Sequence, residues 1–107
     1  MLPKKNRAGT KAVEKIFKEG RVFSSPNLTF KWVLISAGKK EISFIVPKSV
    51  ARLAVKRNSL RRLGYNILKK YINDFPDGVS GVLVFKKYQD NALLLENEIK
   101  SILAKFN

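Results

Sequence analysis

Between Glu41 and Asp74 the chain carries no acidic residue, yet the same span holds eight cations: Lys48, Arg52, Lys56, Arg57, Arg61, Arg62, Lys69 and Lys70. Within it, Leu53, Leu60, Leu63, Gly64, Ile67 and Tyr71 recur at helical spacing and share one face. The span therefore predicts a long helix with an apolar stripe against a core and its remaining faces in water. A solvated helix face normally mixes signs, because unlike pairs one turn apart stabilise it and like pairs repel. Cations at a helix start also oppose the macrodipole. Local stability disfavours this arrangement, so a binding role explains it better than an ordinary solvated face.

Asn58, Arg62, Tyr65 and Lys69 fall at i, i+4, i+7 and i+11 and form one strip opposite the Leu60/Ile67 face, bordered by Arg61. Guanidinium forks suit phosphate oxygens, and an amide and a ring complete a surface fitted to follow a nucleic-acid backbone rather than to read base edges. The bland alternatives are a surface ring without a partner for Tyr65 and a local hydrogen bond for Asn58.

Around this span the chain alternates between helical and extended patterns. Residues 1–9 are polar and basic and read as an extended arm. Val13, Ile16 and Phe17 predict a short helix from Thr10, stopped at Gly20. Arg21 to Ser24 is a weak strand candidate, followed by a turn at 24–27. Thr29 to Ser36 predicts a strand with Phe30, Trp32 and Leu34 on one face. Ala37-Gly38-Lys39-Lys40 reads as a hairpin loop to a strand from Glu41 to Val46, which Pro47 stops. After the long helix, Asp74-Phe75-Pro76-Asp77-Gly78 marks a turn, and Val82-Leu83-Val84-Phe85 suits a central strand covered on both faces. Asp90 is the expected N-cap of a last helix that buries Leu95, Ile99, Ile102 and Phe106. The order is α, two or three β, α, β, α, an α+β sandwich of helices on one sheet. The strands flanking the long helix are candidate parallel neighbours, normally joined right-handed. If the face of Phe30 and Trp32 were open, single-stranded bases would stack there, as they would on Phe17; the alternative is that these rings are core.

Composition narrows the chemistry. The chain has 107 residues, enough for one domain with a real core at 45% hydrophobic content. It has 22 Lys and Arg against 8 Asp and Glu, a net charge of +14. Self-repulsion at that charge opposes compaction and is relieved by a polyanion. There is no Cys and no His, which removes disulfides, thiolate metal sites and every Ser-His or Cys-His constellation. No segment approaches the roughly 20 apolar residues that span a bilayer. The basic start has no apolar run after it, so a cytoplasmic protein with no membrane partner is expected.

The stretch Lys48-Ser-Val-Ala-Arg-Leu-Ala-Val-Lys-Arg-Asn-Ser-Leu-Arg-Arg62 resembles the signature of the bacterial ribonuclease P protein family: a basic loop, Ala-Val, Arg-Asn-Arg and further basic residues. Val13, Ile16, Phe17 and Gly20 resemble the family's first helix, Leu2-Pro3 and Arg7 its N-terminal arm, and Ile42 to Val46 the strand that feeds the signature. Two positions depart from the pattern: Ser59 stands where the third residue of Arg-Asn-Arg would be Arg, and Ser49 replaces the second Lys of a Lys-Lys pair. The resemblance implies one domain over 1–107, with a signature loop and helix over 47–73. It implies an α-β-β-β-α-β-α fold, a mostly antiparallel sheet and a left-handed crossover through the signature helix. It also implies that the chain binds a catalytic RNA which, with its Mg²⁺, removes the 5′ leader of precursor tRNA. The protein would hold no catalytic residue, metal or cofactor of its own. Carried over residue by residue, Arg57, Asn58, Arg61 and Arg62 contact the catalytic RNA, assisted by Lys48, Arg52 and Lys56. Phe17, Phe30 and Trp32 are the leader-cleft candidates, unless the strand register exposes the opposite face.

Three rivals share some of these features. A generic RNA-binding structural protein, such as a small ribosomal component, has the same charge and size. A self-sufficient nuclease needs carboxylates clustered around Mg²⁺, whereas the acids here are scattered and Asp74/Asp77 sit in a turn. A helix-turn-helix DNA reader fits poorly, because a strand and loop precede the basic helix.

Overall fold

The computed structural model describes Lys18, residues 20–34 and residues 40–106. Strands β1 (Arg21–Ser24), β2 (Leu28–Leu34) and β3 (Glu41–Ile45) are followed by helix α1 (Ala54–Tyr71), a 3₁₀ turn (Ile72–Asp74), β4 (Val79–Phe85) and helix α2 (Ala92–Ala104). The basic arm, the loop at 37–39 and the helix expected from Thr10 lie outside the described residues, except that Lys18 is helical.

The strands form one mixed sheet in the order β1-β2-β4-β3. β1 pairs antiparallel with β2, β2 antiparallel with β4, and β3 parallel with β4. The fold is thus the α+β sandwich with a parallel β-α-β unit that the pattern implied, and the weak candidate Arg21–Ser24 is a true edge strand. One pairing is corrected. The hairpin expected between β2 and β3 does not form, because β4 lies between them. Residues Val79 to Leu83 are all buried, and a strand that is covered on both faces is best paid for in hydrogen bonds when it has two neighbours. β3 is therefore displaced to the edge.

Strand alternation decides which side chains meet the helices. Leu28, Phe30 and Trp32 of β2, Ile42 and Phe44 of β3, and Leu83 and Phe85 of β4 share a core with Leu60, Tyr65, Ile67 and Leu68 of α1 and Leu95, Ile99 and Ile102 of α2. Phe106, just past α2, closes the β1 side, with its ring centroid 4.8 Å from Trp32 and 5.1 Å from Phe23. Leu53 and Leu34, expected on the buried stripes, are instead 62% exposed. Leu53 precedes the first helical turn, and Leu34 ends its strand at the rim of the sheet.

Two polar contacts fasten α2. The Tyr71 hydroxyl donates to Glu96 Oε2 at 2.8 Å, and this bond, with desolvation, raises the phenol pKa. Glu98 is buried and accepts from Ser25 Oγ at 2.5 Å, Asn27 N at 2.7 Å and Asn27 Nδ2 at 2.8 Å. It clasps the β1–β2 turn to the helix. The cap of α2 is Asn91 rather than Asp90: the Asn91 side chain accepts from Leu94 N at 3.1 Å.

Gly64 has the close-packing role that its place in a helix demanded. A Cβ there would lie 2.8 Å from the Phe44 ring, which is itself buried. Alanine would gain about 1 kcal/mol of helix propensity, but overpacking of a filled core costs about 1–3 kcal/mol. Gly64→Ala is expected to lower the denaturant midpoint, by the equivalent of roughly 1 kcal/mol. An unchanged or higher midpoint would show that Phe44 gives way without cost.

Candidate nucleic-acid interface

The chain leaves β3 at Ile45, turns through 47–50 and enters α1 with Leu53 as N-cap. Leu53 has no side chain able to cap, and the first turn contains no acid. Its orphan N–H groups and positive dipole end therefore face solvent among cations. Arg57 is half-buried and folds back on the loop: its Nη1 donates to the carbonyls of Ala51 at 3.0 Å and Arg52 at 2.6 Å. That holds the loop against the helix start and commits one of its two terminal nitrogens. Beyond it, Lys48, Arg52, Lys56, Arg61, Arg62, Lys69 and Lys70 are all exposed. Among the described residues none of them is paired with a carboxylate; the ion pair found is Lys40–Asp77, at 3.6 Å. Arg61 Nη2 donates to Asn58 Oδ1, which aims both side chains from one exposed patch. Asn58 thus makes a local hydrogen bond and also borders the cationic surface.

Three expected contact residues are placed elsewhere. Tyr65 is buried, not on the outer strip. Its ring meets Phe44 edge-on at 5.4 Å and its hydroxyl accepts from Phe44 N at 3.0 Å. That bond satisfies an amide on the free edge of β3, so α1 is rotated to bring the tyrosine inward. Phe30 is fully buried and Trp32 nearly so, covered by Phe106 and Phe23; neither presents a face to a base. The side of the sheet away from α1 and α2 carries Thr29, Lys31, Val33, Ser43, Ile45 and Val84, all half-buried, around the fully buried Ser80 and Val82 of β4. The signal for that face lay in β2 itself, where Lys31 alternates with the aromatic residues. Phe17 lies outside the described residues.

Among the described residues no group of three or more His, Cys, Asp or Glu side chains is disposed to hold a metal. No described helix is long and apolar enough to cross a membrane.

A family model described as Ribonuclease P matches residues 2–107. No curated protein sequence matches the chain. Among solved structures, the RNase P protein from Thermotoga maritima superposes with a TM-score of 0.81 at 17% identity, covering 92% of this chain and 96% of that one. The RNase P protein from Staphylococcus aureus gives 0.75 at 16% identity, covering 97% and 91%. At such identity these structures speak for the fold, and the family model for the lineage.

Proposed function

The chain belongs to the ribonuclease P family, and from that premise we propose that it binds the catalytic RNA of the enzyme through the loop and outer faces of α1. It is the protein subunit of ribonuclease P, a component of an endoribonuclease that processes tRNA. The family match displaces the reading as a small ribosomal component. The observation that carries the binding proposal is the run of carboxylate-free cations from Lys48 to Lys70, all exposed except the half-buried Arg57, around an uncapped helix start. Phosphate oxygens accept from guanidinium forks and are favoured at the positive end of a helix. Lys48, Arg52, Lys56, Arg61, Arg62 and Lys69 are the contact residues. Asn58 orients Arg61, and Arg57 positions the loop.

The chemistry belongs to the RNA and its Mg²⁺ in this reading. The chain lacks His and Cys, and its described carboxylates form no metal cluster. The protein's part is to neutralise phosphate repulsion and to hold the precursor tRNA leader as a single strand. The half-buried side chains of Lys31, Val33, Ser43 and Ile45, which flank the fully buried Val82 on the far face of the sheet, suit the leader better than Phe30 and Trp32, which are core; Phe17 stays a leader candidate by resemblance. The protein acts in the cytoplasm, where precursor tRNA is processed.

A precursor tRNA cleavage assay tests this at low Mg²⁺ with a bacterial catalytic RNA. The protein alone is expected to be inert and to restore correct 5′ cleavage by the RNA. Binding without any assistance to cleavage would overturn the reading, and cleavage by the protein alone would return the chemistry to its own carboxylates.

A further inference from the structure

The register places five chain segments at one end of the sheet. β1 ends there at Ser24, β2 begins at Leu28 opposite Phe85, and β3 ends at Ile45 beside Val84. The signature loop leaves from this end, and α1 starts beside it. Lys86 extends the ladder, its N–H donating to Asn27 O at 2.8 Å, and so sits at the centre of the same end. Its Nζ donates to Ser24 Oγ at 2.9 Å, while Lys105 Nζ, arriving from the far end of α2, donates to Ser24 O at 2.8 Å. Two ammonium groups thus converge on one exposed serine. Glu98, which meets the neighbouring Ser25 and Asn27, is buried and already engaged there. Lys87 and Tyr88 follow immediately; both are exposed, and neither side chain has a partner among the described residues. Tyr88 is 46% exposed, unlike Tyr65 at 6%.

Each ammonium bonds to Ser24, and Lys105 also lies 5.8 Å over the Phe23 ring. Yet crowded like charges repel and an exposed ring gives up burial, so the charge of Lys86, Lys87 and Lys105 together and the open face of Tyr88 exceed what those contacts need. Both serve an unpaired nucleic-acid strand, in which phosphates meet the cations and an unstacked base lies on the ring. Neighbouring strands are about 4.8 Å apart, so this end of the four-stranded sheet is about 15 Å wide. The distance is short enough for one strand of RNA to pass from the α1 loop to Lys105.

We propose that the RNA-binding surface continues from α1 across this end of the sheet, where Lys86, Lys87 and Lys105 hold the phosphates of an unpaired RNA segment and Tyr88 stacks on one of its bases. The proposal rests on the reading of α1 as the main RNA contact and adds a second, separable part to it.

Binding of the full chain to a catalytic RNA, and to an unstructured oligonucleotide and a duplex of equal length, would be measured against salt concentration. The variants are K86A/K87A/K105A, Y88A, Y88F and R61A/R62A, each checked for an unchanged thermal midpoint. The triple lysine variant is expected to reduce the slope of log affinity against log salt by about 2, the value for three single-strand phosphates. Y88A is expected to weaken the oligonucleotide about tenfold and leave the duplex unchanged, with Y88F close to wild type. If R61A/R62A lowers the slope but the lysine triple does not, and Y88A binds the oligonucleotide as tightly as wild type, the extension is wrong and the α1 interface stands. If neither set changes the slope, both fall.

Discussion

Replacing Lys56, Arg61 and Arg62 together with alanine is expected to weaken binding to the catalytic RNA by about a thousandfold while leaving the fold intact or slightly stabilised. The three side chains are exposed and unpaired with any carboxylate among the described residues. A hydrogen bond to a charged group contributes about 1.5–3 kcal/mol when the partner is present, so three such contacts amount to about 4 kcal/mol or more. The salt slope should fall by about 2 to 3 as three counterion-releasing contacts are lost. The opposite sign is expected for stability. Removing like charges relieves repulsion at each site, and at Lys56, in the first turn, the clash with the helix dipole as well, by a few tenths of a kcal/mol per site. A purely structural role predicts the reverse, with a lower thermal midpoint and unchanged affinity. Among single changes, Arg62→Lys should recover only part of what Arg62→Ala loses, because an ammonium cannot make the two-pronged contact.

The second large effect is on stability. Glu98→Ala should cost about 3 kcal/mol, because the carboxylate is a charged acceptor for the Ser25 hydroxyl and for two donors of Asn27. Ser25 has a fallback, since its hydroxyl also lies 3.1 Å from Leu28 O; the Asn27 donors are left to water at a turn pressed against the helix. For a domain of this size the loss corresponds to a thermal midpoint lower by about 12 °C or more. Acid should reveal the same contact. Burial alone would raise the Glu98 pKa, but the bonds from Ser25, Asn27 and Leu28 outweigh it and hold the carboxyl below its ordinary value. A carboxyl whose pKa is depressed by folding adds stability that is fully present above its unfolded pKa, about 4.3, and disappears as pH falls through the lower folded value. The difference in midpoint between wild type and Glu98→Gln should therefore be largest near neutrality and narrow below about pH 4. A difference constant from pH 7 to 3 would show that the clasp works through shape rather than charge.

The basic helix was legible in the sequence because its two signals are local. The absence of acids from 42–73 is read directly along the chain, and the Leu60–Ile67–Tyr71 stripe repeats within a few turns. Local patterns likewise placed β3 and α2 within a residue or two, and found the C-terminal half of β4, which begins three residues earlier at Val79. The chemistry excluded by the missing His and Cys also needed no coordinates. The signature from Lys48 to Arg62 pointed to the family that the whole-chain match bears out.

What escaped the sequence was everything fixed by which partner an element finds. Tyr65 sits near the boundary of the helical stripe, where a small rotation of α1 separates solvent from core; the unpaired Phe44 amide on the edge strand draws its hydroxyl inward. Phe30 and Trp32 alternate with Lys31 and Val33, and alternation says only that the two sets face opposite ways. Which set is covered was decided by Phe106, more than seventy residues away. The insertion of β4 between β2 and β3 follows from its burial on both faces, a demand that only the assembled sheet can meet. By itself the sequence determined the elements, the charge and the family, because periodicity and composition are properties of short stretches. The tertiary structure alone decided the strand order, the inward turn of Tyr65 and the meeting of Lys86 and Lys105 on Ser24, because each depends on contacts between residues far apart in the chain.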